Sequence, residues 1–114
     1  MTTLYVTHPR YTEHDLATHP EHAGRIRAIW RRLDETGLLA RLKAVEAAPI
    51  ERDLILTVHT PRYLDLLDSL SSFDHTVRLD SDTYANPSSF EIARLSAGGG
   101  IRAVDAVMNG EASN

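Results

Sequence analysis

The run His19-Pro20-Glu21-His22-Ala23-Gly24-Arg25-Ile26-Arg27-Ala28-Ile29-Trp30-Arg31-Arg32-Leu33 changes character halfway along. From Ile26 onward the apolar residues Ile26, Ile29, Trp30 and Leu33 recur at the i, i+3, i+4, i+7 spacing of an amphipathic helix, which Thr36-Gly37 stops. Before Arg25 there is no period. Arg10 to Glu21 therefore reads as a loop, and it concentrates His14, His19 and several carboxylates just ahead of the helix. A cation at a helix start is unfavourable for the helix dipole, so Arg25 serves something other than the helix. Arg27, Arg31 and Arg32 belong to its solvated side.

Upstream, Leu4-Tyr5-Val6 is a short run of strand formers that Thr7-His8-Pro9 ends. Downstream, Leu38 to Leu42 continues as a further turn, and Leu42 to Ala48 reads as a second strand. Glu51 to Val58 fits a brief helix. Thr60-Pro61 then opens another, with Tyr63, Leu66, Leu67 and Leu70 as its apolar stripe. Ser71 to Thr83 is polar and irregular and reads as an exposed loop.

The last helix begins near Ser88, where Ser88 and Glu91 fit a capping box; Phe90, Ala93, Ala97, Ile101, Val104 and Met108 mark one face. Gly98-Gly99-Gly100 interrupts it. Each interior glycine costs about 1 kcal/mol relative to alanine, so the triplet predicts close packing against another backbone. Asn109 to Asn114 is polar and unpatterned. Two strands among these helices indicate an α/β fold whose parallel sheet is unfinished.

Composition narrows the function. At 114 residues, 42% apolar and 25% charged, the chain suits one globular domain, and a net charge of −4 gives no general attraction for nucleic acid or anionic lipid. It has no cysteine, so disulfides and thiolate metal sites are excluded. No segment approaches the roughly 20 apolar residues of a membrane span, and no secretory signal is visible, so a cytoplasmic protein is expected. There is no Gly-rich phosphate loop and no G-x-S-x-G elbow.

The polar motifs by themselves are unspecific. His19 and His22 form an H-x-x-H pair that a surface loop collects without binding metal. His14-Asp15 resembles the pair of HD-type phosphohydrolases, although Pro20 and the missing period argue against the helix that such a pair occupies. Asp80 and Asp82 read as turn carboxylates, His59 as a packing residue, and His75 has no partner at a telling spacing.

Four landmarks in order carry more than any one of them: His19-Pro20-Glu21-x-x-x-Arg25 with its helix; Val58-His59 leading to Tyr63-Leu64; Leu79-Asp80-Ser81-Asp82-Thr83; and Ser89 with the Ala- and Gly-rich helix from Ala93 to Val107. From about Tyr5 to Gly110 the chain resembles the N-terminal part of the zinc-dependent histone deacetylase, acetylpolyamine amidohydrolase and acetoin utilization superfamily. The resemblance implies a three-layer arginase/deacetylase-like α/β fold with a parallel sheet, and residues 1–114 as the N-terminal segment of one such domain, ending before the zinc-binding motifs.

It further implies that Asp82 is the rim aspartate that binds substrate, and that Arg25 lines an internal acetate channel with Tyr11 and His19 as structural neighbours. It implies no catalytic residue and no metal ligand in these 114 residues, and zinc in the intact protein. The substrate would be an acetylated amine or acetyl-lysine, with no nucleic acid or membrane as partner. One departure stands inside the match: the family's proline two residues before the arginine is replaced, with Ala23 and Gly24 filling the interval. The isolated chain is expected to be inactive. The competing expectation is a non-catalytic interaction module that self-associates through an open sheet edge.

Overall fold

The computed structural model describes residues 1–114. Strand β1 (Leu4–Thr7) pairs in parallel with β2 (Lys43–Glu46), in a register that sets Tyr5 against Ala44 and Val6 against Val45. Helix α1 (Ala23–Glu35) connects them, followed by a single 3-10 turn at Leu39–Arg41. Gly37 ends α1 at φ 67°, the left-handed conformation that favours glycine.

Alternation along the strands sorts side chains into two faces. Tyr5, Thr7, Ala44 and Glu46 line one hollow together with Trp30 and Leu33 of α1, and the Trp30 indole Nε1–H donates to Thr7 Oγ1 at 3.0 Å. Val6 and Ala47 face the other way, against α4 (Ser89–Met108). The sheet is thus a middle layer between α1 and α4.

Gly98 explains how α4 comes so near. A Cβ there would stand 1.7 Å from the Ala48 carbonyl oxygen and 2.8 Å from the Ile50 nitrogen, so the helix is seated on the backbone that leaves β2. The seat is latched from both sides, since Ile50 N–H donates to the Arg94 carbonyl and the Arg94 guanidinium returns a bond of 2.9 Å to the Ile50 carbonyl. At Gly99 a Cβ would be 3.3 Å from the Tyr11 hydroxyl and 3.4 Å from Val6. Gly100 faces open space, so close packing accounts for two of the three glycines.

Several expectations are corrected. The buried positions of α4 are Ser89, Ile92, Leu95, Gly98, Gly99 and Ala106, whereas Ile101, Val104 and Met108 of the expected face are exposed. Apolar residues extend well beyond one face of this helix, away from Glu91, Arg94, Arg102 and Asp105, so its periodicity left the orientation open and the glycine seat decided it. The Ser88–Glu91 capping box does not form: Ser88 has helical dihedrals and no side-chain cap bond, and Glu91 instead meets Arg10 at 2.6 Å.

In α3 (Pro61–Ser69) Thr60 caps the helix as expected, accepting from Tyr63 N–H at 3.2 Å. Its core contact is Leu64 with Leu70, while Tyr63 and Leu66 are exposed. His59 is exposed as well, its ring tilted against Tyr63, rather than packed inside. The short helix α2 (Arg52–Ile55) is tied to α3 by Arg52, which bonds Asp68 and Asp65.

Within the two stretches read as loops, Pro9–Glu13 forms a 3-10 turn, Leu70–Ser72 another, and β3 (Val77–Arg78) pairs antiparallel with β4 (Tyr84–Ala85). The tail is not loose. Ser113 N–H donates to the Thr2 carbonyl and Leu4 N–H to the Asn114 carbonyl, along the edge of β1 away from β2. Backbone pairing of this kind leaves no mark in side-chain periodicity. No helix is long and apolar enough to cross a membrane.

Gly98→Ala forces its methyl into backbone that cannot turn aside, and overpacking of this kind costs about 1–3 kcal/mol. Gly100→Ala meets nothing and gains helix propensity of about 1 kcal/mol. In urea unfolding of the 114-residue chain, the first variant is expected to lower the midpoint and the second to raise it.

Candidate functional site

The histidine segment and the β3–β4 hairpin are held together by a buried polar hub. Ser89 Oγ stands 2.6 Å from His14 Nδ1, accepts from Asn86 N–H at 2.8 Å, and lies 3.1 Å from Asn86 Oδ1. The Asn86 side chain accepts from Ser88 N–H and donates to the Glu13 carbonyl. A short side chain at the first turn of α4 thereby anchors both approaching loops. His14 also stacks on Tyr84, with ring centroids 4.5 Å apart and planes within 2°.

Tyr84 is 4% exposed and donates its hydroxyl to the Glu21 carbonyl at 2.6 Å. Burial raises its pKa, and the charges of Glu21 and Asp15 add to this, so the donor stays protonated. Asp15 accepts from Ala23 N–H at 2.8 Å, and His22 Nδ1 from Gly24 N–H at 3.0 Å, which together satisfy donors at the start of α1. His14 and Asp15 are therefore engaged separately, in structural bonds, and do not act as the pair of a phosphohydrolase.

Arg25 follows in the first turn of α1. It is exposed, and none of the ion pairs of the chain includes it. Arg25 helps to line a cavity of about 530 Å³ between α1 and the start of α4, together with Tyr11, His14, Glu21, His22 and Ile92. Burial raises the pKa of Tyr11 too, and its hydroxyl reaches toward the Leu95 carbonyl at 3.4 Å. Tyr11 and Arg25 are thus brought to one cavity, where an unpaired cation and a neutral phenol could receive a small carboxylate.

His19 stands outside that lining and turns toward the hairpin. Its Nδ1 accepts from Glu21 N–H at 2.9 Å, which places the ring proton on Nε2. Nε2–H then faces the Asp82 carbonyl at 2.9 Å and Asp82 Oδ1 at 3.2 Å. The ring packs edge-on against Tyr84 at 5.0 Å. Asp82 itself projects from the hairpin tip, its side chain 91% exposed.

The tip is shaped by Asp80, whose Oδ1 accepts from Asp82 N–H at 2.8 Å, and by Leu79 N–H bonded to the Thr83 carbonyl at 2.8 Å. The bond from Asp82 N–H, reinforced by Thr83, holds the Asp80 carboxyl below its ordinary range. No three His, Asp or Glu side chains converge as a metal cage, so the residues present do not compose a zinc site.

Of the residues that organise this region, Tyr84 had no signal in its spacing. Ser89 stood out in sequence only as part of a longer pattern. What they do depends on loops meeting across more than 60 positions, which no local period reports.

Comparisons with known proteins identify the family and the fold. Residues 19–114 match the histone deacetylase domain family. The chain is 42% identical over 98 residues to a histone deacetylase-like amidohydrolase of Pseudomonas aeruginosa, covering 86% of this chain and 25% of that protein. It is 35% identical over 117 residues to a probable deacetylase of Archaeoglobus fulgidus, covering 100% of this chain and 32% of that protein. The crystal structure of the HDA15 HD domain superposes with a TM-score of 0.91 at 30% identity, covering 100% of this chain and 34% of that one. The chain spans about a quarter to a third of the length of these proteins, and its fold is the corresponding part of theirs.

Removing the Ser89 hydroxyl strands Asn86 N–H and His14 Nδ1, and an unsatisfied buried polar group costs about 1–3 kcal/mol. Ser89→Ala is expected to lose stability in that range by urea unfolding. For Asp80 the folded pKa is depressed, so the turn is complete above the ordinary aspartate value near 3.9 and is lost as pH falls through the lower folded value. The Asp80 side-chain carboxyl carbon resonance should therefore move only in acid, below the ordinary aspartate range, and Asp80→Asn should remove the bond's dependence on pH.

Proposed function

Because the chain belongs to the histone deacetylase domain family, we propose that it supplies the substrate-orienting rim and the inner cavity of a zinc-dependent enzyme that hydrolyses N-acetyl amides. The full-length protein adds water across the amide of an acetylated amine, of acetyl-lysine or acetylpolyamine type, and releases the free amine and acetate. Zinc supplies the Lewis acid when bound. The residues that hold it lie outside these 114, and the segment by itself is inactive.

Within the segment, Asp82 accepts a hydrogen bond from the substrate and fixes its approach. Arg25 attracts the departing acetate into the cavity that it shares with Tyr11. The observation that carries this reading is Arg25, which is in no ion pair and lines one cavity with Tyr11, where its cation can attract a small anion. The reaction is placed in the cytoplasm.

A second reading draws on the outer edge of β2, which has no strand partner. There the chain would be an interaction module that self-associates by strand addition. Sedimentation of the 114-residue chain separates the two, because a concentration-dependent dimer lost on Glu46→Pro, at a position whose N–H points away from β1, would favour the module.

For the enzyme, the assay is acetate release by the full-length protein from an acetyl-lysine peptide and from an acetylated polyamine. Asp82→Ala is expected to raise KM about tenfold with little change in kcat, and Arg25→Ala to lower kcat by a similar factor. Full activity in both variants would remove the assigned roles.

A further inference from the structure

Asp82 presents a problem that its assigned role makes acute. An exposed aspartate at a hairpin tip samples several rotamers, and orienting a substrate with it would require freezing them at the moment of binding. The hairpin already fixes the backbone on either side, through Asp80 Oδ1 to Asp82 N–H and Leu79 N–H to the Thr83 carbonyl. Neither bond restrains the Asp82 carboxylate.

His19 does. Its imidazole is 14% exposed where the Asp82 side chain is 91% exposed, so a fixed ring lies beneath a carboxylate in solvent. Three contacts hold the ring: Glu21 N–H on Nδ1, the edge of Tyr84, and the two Asp82 oxygens on Nε2–H. Tyr84 is itself bolted to the Glu21 carbonyl, so ring, hairpin and histidine segment move as one body. The Nε2–H bond engages Oδ1 and the main-chain carbonyl, which leaves Oδ2 as the acceptor for an incoming N–H.

We propose that His19 is a positioning residue that presets the Asp82 carboxylate for an amide-bearing substrate, through the Nε2–H form imposed by Glu21 N–H. This rests on the reading of Asp82 as the substrate-orienting rim residue. His19 does not touch the reacting atoms. Its effect is on binding and passes entirely through Asp82.

The test is a double-mutant cycle in the full-length protein, assayed with an acetyl-lysine peptide. His19→Ala should raise KM about as far as Asp82→Ala, roughly tenfold, and leave kcat within about twofold. The double variant should be no worse than either single one, because both remove one interaction. His19→Gln keeps an N–H donor near the Nε2 position and should recover part of the loss.

If Asp82→Ala leaves KM unchanged, the parent reading falls and this inference with it. If Asp82→Ala raises KM but His19→Ala does not, or if the two effects multiply, the parent reading stands and the inference is overturned. Where His19→Ala does not fold, nitrogen chemical shifts of the His19 ring in the unaltered protein decide. A proton on Nε2 supports the inference, and a proton on Nδ1 alone contradicts it.

Discussion

The approach of α4 to the backbone between Ala48 and Ile50 constrains everything else in this structure. It requires glycine at position 98, it fixes the roll of the helix, and through that roll it decides where Ser89 points at the helix start. From Ser89 the order passes outward by hydrogen bonds: to His14 and Asn86, from His14 by stacking to Tyr84, and from Tyr84 to the Glu21 carbonyl. A packing constraint in the middle of a helix thereby sets the geometry of two loops at its end.

Those loops contribute different chemistry. The histidine segment leads into α1 and delivers Arg25, in no ion pair, to a cavity that it shares with Tyr11 and Glu21. The hairpin delivers Asp82 to the surface. Around the second site most titratable side chains serve the backbone: Asp15 and His22 satisfy amides of α1, His19 an amide of its own segment, and Asp80 the amide of Asp82. The Arg10 guanidinium, bonded to Glu91 and Glu13, holds Glu91 below the usual carboxylate range and ties the 3-10 turn to α4. Imidazoles and carboxylates crowded in sequence here are mostly fasteners, which is why they compose no metal cage.

How much could be read from the residues follows from the range of each signal. β1, α1 with its Gly37 stop, and α3 with its Thr60 cap rest on local period and local turn chemistry, and all three form. The glycine triplet announced a close approach, and two of its members make one. What stayed hidden depends on partners distant in the chain. The Ser88–Glu91 pattern was outcompeted by Arg10, 81 residues from Glu91. The face of α4 was ambiguous because apolar residues cover more than one side of it. The tail paired through main-chain atoms that carry no sequence mark. Arg25 and Tyr11 share a cavity, and His19 meets Asp82 across 63 positions. The resemblance pointed to the residues, but only the fold could say which of them touch.

Central to this account is that hairpin and histidine segment together present one oriented carboxylate to a substrate amide. The most direct measurement is a crystal structure of the full-length protein with a bound acetyl-lysine peptide. The account predicts a peptide N–H within hydrogen-bond distance of the free Asp82 oxygen while the other oxygen remains on His19 Nε2. A peptide held entirely by other groups, with Asp82 turned to solvent and detached from His19, would contradict it.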